Sequence, residues 1–268
     1  MSMKPTPIAV FFAFMVALFL LLPLIAVVPV SFTPARFLSM PTDIWSLRHY
    51  QALIDNPAWL QSIWLSLRIG ILSSVIATLL ALMFSLGIWM FRPWFGSLLF
   101  GFVLLPMVAP PVVSAITLYF FLTTLSKVND IVAYDTWVGV AIAHAVMIAP
   151  FAVVMVTVAL AQVDRRIDLA ARGFGASVSQ RVFKVILPNI KFGIFTAFFL
   201  SFVLSWEEIG VTLFITSVDA VTLPRMMWMG LRDNIDPAIA AISVILIVTV
   251  IAVILVKTAV TFKLSRKT

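Results

Sequence analysis

No cysteine occurs anywhere in the chain. Disulfides, thiolate metal sites and cysteine nucleophiles are therefore excluded, while the redox compartment stays open. Histidine is nearly absent as well. Only His49 and His144 occur, and neither has a companion at metal-ligand spacing; a lone histidine in an apolar helix, as His144 is, reads first as a packed hydrogen-bonding residue. Charge is scarce: Asp, Glu, Lys and Arg make up 11% of the residues, against roughly 25% in a soluble domain. An ATP site of the P-loop type is missing. Gly96 and Gly101 have its spacing, but Phe102-Val103 follow, so neither the phosphate-binding lysine nor the Mg²⁺-binding hydroxyl is present. No carboxylate pair or nucleophile–base pair stands in a polar setting, which disfavours an intramembrane enzyme.

What the chain has instead is apolar length. Of its 268 residues, 63% are hydrophobic, and the mean hydropathy is +1.15. This is the composition of an all-α integral membrane protein, with no soluble domain to assign. Six runs are long enough to span a bilayer core of about 30 Å: residues 8–30, 62–90, 97–125, 137–160, 189–214 and 238–256. The first is too long for the apolar part of a signal peptide and no small-residue cleavage site follows, so it reads as an uncleaved span. Pro23 and Pro29 are expected to bend or end it. The connection from Ser31 to Gln61 carries Trp45, Tyr50 and Trp59, residues suited to a membrane interface. Arg68 is expected to snorkel to the outer interface. Pro106, Pro110 and Pro111 interrupt the third run. The carbonyls they free must be satisfied inside protein or a wet cavity, which places this helix against a pathway or makes it a packing kink. Between residues 216 and 236 lies an amphipathic outer segment with a Met226-Met227-Trp228-Met229 cluster, and Asp236-Pro237 reads as an N-cap followed by a first-turn proline.

A formal charge of +7 raises the possibility of a nucleic-acid partner, but the distribution argues against one. With both termini inside, Lys4, Arg92, six residues between 165 and 191, and Lys257, Lys263, Arg266 and Lys267 fall on inner segments, which is twelve of the 18 Lys/Arg. The positive-inside rule then puts both termini in the cytoplasm.

The one long polar segment away from the termini is Asp164 to Gly193. Ile167, Ala170 and Ala171 share a face of a short helix, which Gly173 or Gly175 can end because glycine takes the left-handed conformation. Ser177 is placed to N-cap a second helix through Val178, Val182, Phe183 and Val185, which Pro188 ends or follows. A helix–Gly–helix lying on the membrane suits a grip for a cytosolic partner.

Ala170-Ala171, Gly175, Val185 and Leu187-Pro188 resemble, at the family spacing, the EAA motif of ABC-transporter permeases of the binding-protein-dependent importer class. Ser205-Trp206-Glu207-Glu208 and Thr222-Leu223-Pro224 resemble segments of the polyamine-type spermidine/putrescine branch. The resemblance runs from about Ser31 to Ile254. It departs at one place: Leu169 stands where the motif has its glutamate, and the nearest carboxylate, Asp168, is one position early. The resemblance implies one transmembrane domain over residues 1–268, in a bacterial inner membrane, with a coupling helix between the fourth and fifth spans. It implies ATPase contacts at Asp168, Leu169, Ala170, Ala171, Arg172, Gly175, Ala176, Ser177, Leu187 and Pro188. Leu169 is expected to make an apolar contact in the ATPase groove, because Asp168 is rotated from it by about 100° on a helix. The implied partners are two ABC ATPase subunits holding ATP and Mg²⁺, a second permease of a different chain, an extracytoplasmic solute-binding protein and lipid; the chain itself would bind no cofactor or metal. A secondary transporter or channel is the alternative class, but it leaves the EAA-like island unexplained and no internal repeat supports it.

Substrate is approached through the fifth run. Ser201, Ser205, Glu208 and Thr212 follow 4-3-4 spacing and form a polar stripe if the helix is continuous, so Glu208 is expected to face the pathway or partner permease. Glu207, about 100° away, is expected to reach the interface or pair with a basic group such as Arg225. Acids in the outer half of this span favour a small organic cation such as a polyamine, with an opine, phosphonate, thiamine or ferric iron as alternatives.

Overall fold

The computed structural model describes residues 6–233 and 236–265; the expected inner charges at Lys4, Arg266 and Lys267 lie outside them. Among the described residues every regular element is helical. Four helices are long and apolar enough to cross a membrane, and two shorter apolar helices, Pro111–Leu125 and Ala238–Val253, stand at the third and sixth expected runs. The chain divides into two compact units: one runs to Leu60 and resumes at Met227, and the other is Gln61–Met226.

In the first unit, α1 (Pro7–Val30) begins at Thr6, whose side chain accepts from Ala9 N. It keeps Pro23 in its interior and ends directly after Pro29. The short α2 (Arg48–Asp55) carries His49, whose Nε2 lies 2.9 Å from the Ala35 carbonyl. Phe32 stacks near both Trp45 and Tyr50, so the aromatic connection is a packed feature of this unit.

α3 (Pro57–Phe91) starts five residues earlier than the second expected span and is 35 residues long. At about 1.5 Å per residue it is longer than a bilayer core is thick. The third run is not one helix. It comprises α4 (Gly96–Val103), α5 (Leu105–Val108) and α6 (Pro111–Leu125). Proline lacks an N–H and clashes with the carbonyl four residues back, so Pro106 falls in the first turn of α5, Pro110 caps α6 and Pro111 opens it. α7 (Trp137–Ala161) matches the fourth run and tolerates Pro150 in its interior.

Beyond α8 (Arg165–Gly173), one helical stretch runs from Val178 to Glu207. It consists of α9 (Val178–Gln180), a π-helical turn Arg181–Ile186, and α10 (Leu187–Glu207). The second island helix and the fifth span are thus continuous, and Pro188 lies within the run; the π turn before it takes up the irregularity that a proline brings to an α-ladder. The fifth span was expected to reach Phe214 but ends at Glu207, where Glu208 turns extended with ψ 111°. A separate turn, α11 (Thr212–Ile215), follows. α12 (Leu223–Asp233) is amphipathic and falls within the expected segment 216–236. α13 (Ala238–Ser265) is entered as expected: the Asp236 carboxylate accepts from Ala238 N at 2.9 Å.

The core of the second unit joins α3, α7 and α10. Ala77, Ala81, Ala152 and Ala197 are all fully buried there, among Ile148, Val153, Val156, Leu160, Ile186 and Ile190. In lipid, helix association relies on close packing rather than on the hydrophobic effect, so small residues at the contacts let backbones approach. This core fixes the ends of α7 and α10 between which the polar island hangs.

Candidate functional site

The island forms a small braced projection. Asp164 caps α8 by accepting from Arg166 N at 2.9 Å. The helix ends at Phe174, Gly175 takes φ +79°, and Ala176 N returns to the Ala171 carbonyl at 3.1 Å. A turn of that hand strongly favours glycine. Ser177 then caps the next helix in a reciprocal box with Gln180: Gln180 N donates to Ser177 Oγ at 3.3 Å, and Ser177 N donates to Gln180 Oε1 at 2.9 Å. The expected cap and glycine are therefore where the sequence placed them.

Asp168 is not on the free face of α8. It is buried, and it accepts two bonds from Arg181, Nε to Oδ1 at 2.7 Å and Nη2 to Oδ2 at 2.5 Å. A planar guanidinium fits a carboxylate in this two-pronged way, and such charge-assisted bonds are stronger than neutral ones. The pair pins α8 to the π turn, so within this chain Asp168 serves as an internal brace. Beside the exposed Arg166 and Arg172, α8 and the residue that caps it present large apolar side chains outward: Leu169 is 62% exposed and Phe174 92%. Ala170, Arg172 and Ser177 are also exposed, Ala171 and Ala176 half-buried. Leu187 and Pro188 lie at the start of α10, with Leu187 half-buried and packed on the α3/α7/α10 core and Pro188 exposed.

The second group of expected residues lies where α10 breaks. Ser201 and Ser205 are buried within the chain, so they do not line an open path along α10. Ser205 instead accepts from Ser73 Oγ at 2.9 Å and lies 2.9 Å from His144 Nδ1. His144 Nε2 lies 2.9 Å from Thr212 Oγ1, and Thr212 in turn donates to the Glu208 carbonyl. The imidazole thus bridges the last turn of α10 to α11 across the break, with α3 on its far side.

The two acids differ, but not as a continuous stripe would have it. Glu208 is half-buried and its Oε1 accepts from Val211 N at 2.9 Å, which caps the turn into α11. Glu207 is exposed and makes no hydrogen bond or ion pair among the described residues. The suggested Glu207–Arg225 pair does not form, since Arg225 Nη1 donates to Thr216 Oγ1. The free carboxylate at the end of α10 is therefore that of Glu207.

Two residues that the sequence reading did not single out matter here. Arg181 is the brace of α8; its spacing from Asp168 carries no recognisable signal. Asp135, at φ 58°, receives backbone N–H bonds from Ser217, Val218, Asp219 and Ala220 at 2.7–3.1 Å. Burial alone would raise its pKa, but these amides outweigh it and hold the group below its ordinary value. It ties the loop before α7 to the loop after α11.

Comparison with known proteins follows this geometry. Residues 84–267 match the family described as binding-protein-dependent transport system inner membrane component. The putrescine transport system permease protein PotI of Escherichia coli K12 is 26% identical over 230 residues, covering 85% of this chain and 82% of its own length. The spermidine/putrescine permease PotC of the same strain is 27% identical over 237 residues, 88% and 87% of the two chains. A probable molybdenum ABC transporter permease of Haloferax volcanii is 30% identical over 194 residues, 70% and 72% of the two chains. Among solved structures, a bacterial ABC transporter for the import of alginate superposes with a TM-score of 0.60 at 16% identity, over 95% of this chain and 94% of that one.

Proposed function

The chain belongs to the binding-protein-dependent transport system inner membrane components and is a permease subunit of an ABC importer; from this premise we propose that the α8 projection docks a separate ATPase and that the substrate is a small organic cation of the polyamine class. The observation that carries the docking reading is the arrangement of α8. Its acid is turned inward onto Arg181, while Leu169 and Phe174 stand in solvent. Large apolar side chains held rigidly on a polar loop are suited to fill a groove on another protein. ATP and Mg²⁺ belong to that ATPase. Because α8 hangs between α7 and α10, a push on it reaches both helices and, through His144, the break after α10. In this reading the α8 face is cytoplasmic, and both termini are too.

The substrate reading rests on Glu207, whose carboxylate is exposed and uncommitted at the far end of α10, together with the polyamine relatives; the molybdenum relative shows that neighbours in sequence differ in cargo. A solute-binding protein delivers the substrate on the outer face. A second permease completes the pathway, and Phe192, Phe195 and Phe199, exposed along one side of α10, offer it an aromatic surface. The test is uptake of radiolabelled putrescine and molybdate by membrane vesicles carrying the full transporter. Uptake of putrescine that stops in the Phe174→Ala variant, with the permease still inserted, supports both parts. Molybdate uptake without putrescine uptake would remove the cation reading and leave the docking reading intact.

A further inference from the structure

On the membrane face that carries α8, the second unit has a cavity of about 490 Å³ that the transport reading does not use. Two arginines line it: Arg92, directly after α3, and Arg165, the first residue of α8. No acidic side chain is among its lining residues. The carboxylate of Asp168 is taken by Arg181, and among the described residues neither Arg92 nor Arg165 has an ion pair. The two cations feel each other. Burial first, then the positive charge of Arg92, pulls the pKa of Arg165 down, against a smaller opposite pull from Asp168.

Their placement is specific. Arg92 sits at φ 47°, a conformation that L-residues adopt only against a steric penalty, and its position ends α3 at the cavity mouth. The Arg165 guanidinium lies over the Trp89 ring, 5.0 Å from the centroid. Gly96, whose amide donates to the Pro93 carbonyl at 2.9 Å, and Ser97 bring the N-terminus of α4 to the same wall, and the positive end of a helix favours an anion. Next in sequence to the lining residues Arg92 and Pro93, Phe91 is 71% exposed and Trp94 93%. Exposed aromatics of this kind suit the boundary of acyl chains and headgroups.

We infer that this cavity binds the phosphate headgroup of an anionic phospholipid, held between Arg92 and Arg165 with its acyl chains against Phe91 and Trp94. Basic pockets between membrane helices suit such headgroups. Because Arg165 begins α8, the lipid would steady the root of the projection. The inference goes beyond the transport reading, and its readout requires neither ATPase nor substrate.

The experiment uses the full chain purified in mild detergent and exchanged into nanodiscs of phosphatidylcholine doped with phosphatidylglycerol. Lipid retained after delipidation is counted by native mass spectrometry. Wild type retains phosphatidylglycerol over phosphatidylcholine. Arg92→Gln and Arg165→Gln each lower that retention about fivefold, the attraction of one basic side chain for an anionic bilayer surface. Arg92→Lys keeps it, which separates charge loss from misfolding, and Lys127→Gln, in a loop on another part of the chain, leaves it unchanged. Inorganic phosphate at millimolar concentration does not displace the lipid. Retention equal to wild type in the double variant overturns the inference. So does displacement by free phosphate, which would make the ligand a soluble anion.

Discussion

Asp168 and Leu169 are neighbours in sequence with opposite surroundings, and the difference decides what each substitution does. Asp168→Ala leaves Arg181 without its partner at a site where both side chains are nearly buried. Removing one member of such a pair costs about 3–5 kcal/mol when it is fully desolvated, and less here because the pair lies at the rim. The expected outcome is a loosened α8: transport falls and protease cuts between residues 165 and 181, while the spans remain inserted. Leu169→Glu, in contrast, leaves the brace intact and puts back the residue that the motif carries at this position, so it is expected to be tolerated in uptake assays; a loss of ATPase capture would show a groove remodelled around an apolar side chain. Phe174→Ala removes the most protruding apolar group of the loop and is expected to weaken ATPase binding by roughly thirtyfold, as truncation of an anchoring aromatic does. Binding of the purified ATPase to nanodisc-held permease measures both. At the end of α10 the carboxamide of Glu208→Gln still accepts from Val211 N, so this variant should transport normally. Glu207→Gln should raise the KM for a cationic substrate. Equal effects of the two would remove Glu207 from the pathway.

Among the elements, the break between α10 and α11 is where reading the sequence and seeing the structure part most. The 4-3-4 spacing of Ser201, Ser205, Glu208 and Thr212 is genuine, and three of the four do lie inside. The periodicity could not reveal that the partner is His144 on α7 and Ser73 on α3, because those contacts are 61 and 132 residues away from Ser205. Nor does a Glu-Glu-Ile-Gly sequence announce a helix end, since glutamate is a good helix former. Conversely, the caps at Ser177 and Asp236, the αL glycine at Gly175 and four of the six apolar runs were legible, because each depends on local chemistry. The break in the third run was half legible: the prolines marked it, but not how many pieces resulted. A direct test of the His144 bridge is His144→Leu. It removes two buried hydrogen bonds while Ser205 keeps Ser73 and Thr212 keeps the Glu208 carbonyl, at about 0.5–1.5 kcal/mol for each bond lost, and so should lower the thermal midpoint in detergent by a few degrees. A His144→Gln variant that restores the midpoint would show that hydrogen bonding, not packing volume, holds the break.

At the scale of the whole molecule, the absence of cysteine becomes an advantage, because the chain is already a template for single-cysteine labelling. In the orientation proposed above α8 is cytoplasmic, and α7 and α10 then carry the Asp135-bound loops to the opposite side. Phe174 and Val218 are the natural reporters, 92% and 78% exposed respectively. In sequence they flank the one membrane-length stretch Val178–Glu207. Phe174→Cys should therefore react with a membrane-impermeant maleimide only in inside-out vesicles, and Val218→Cys only in intact spheroplasts. Adding purified ATPase and ATP, in the excess that loss of the Phe174 ring requires, should protect Phe174→Cys and leave Val218→Cys unchanged, because an ATPase that grips α8 cannot cover the loop on the opposite side. Labelling of Phe174→Cys in intact spheroplasts would invert the topology. It would then also remove α8 as the ATPase contact, since a cytosolic enzyme could not reach it.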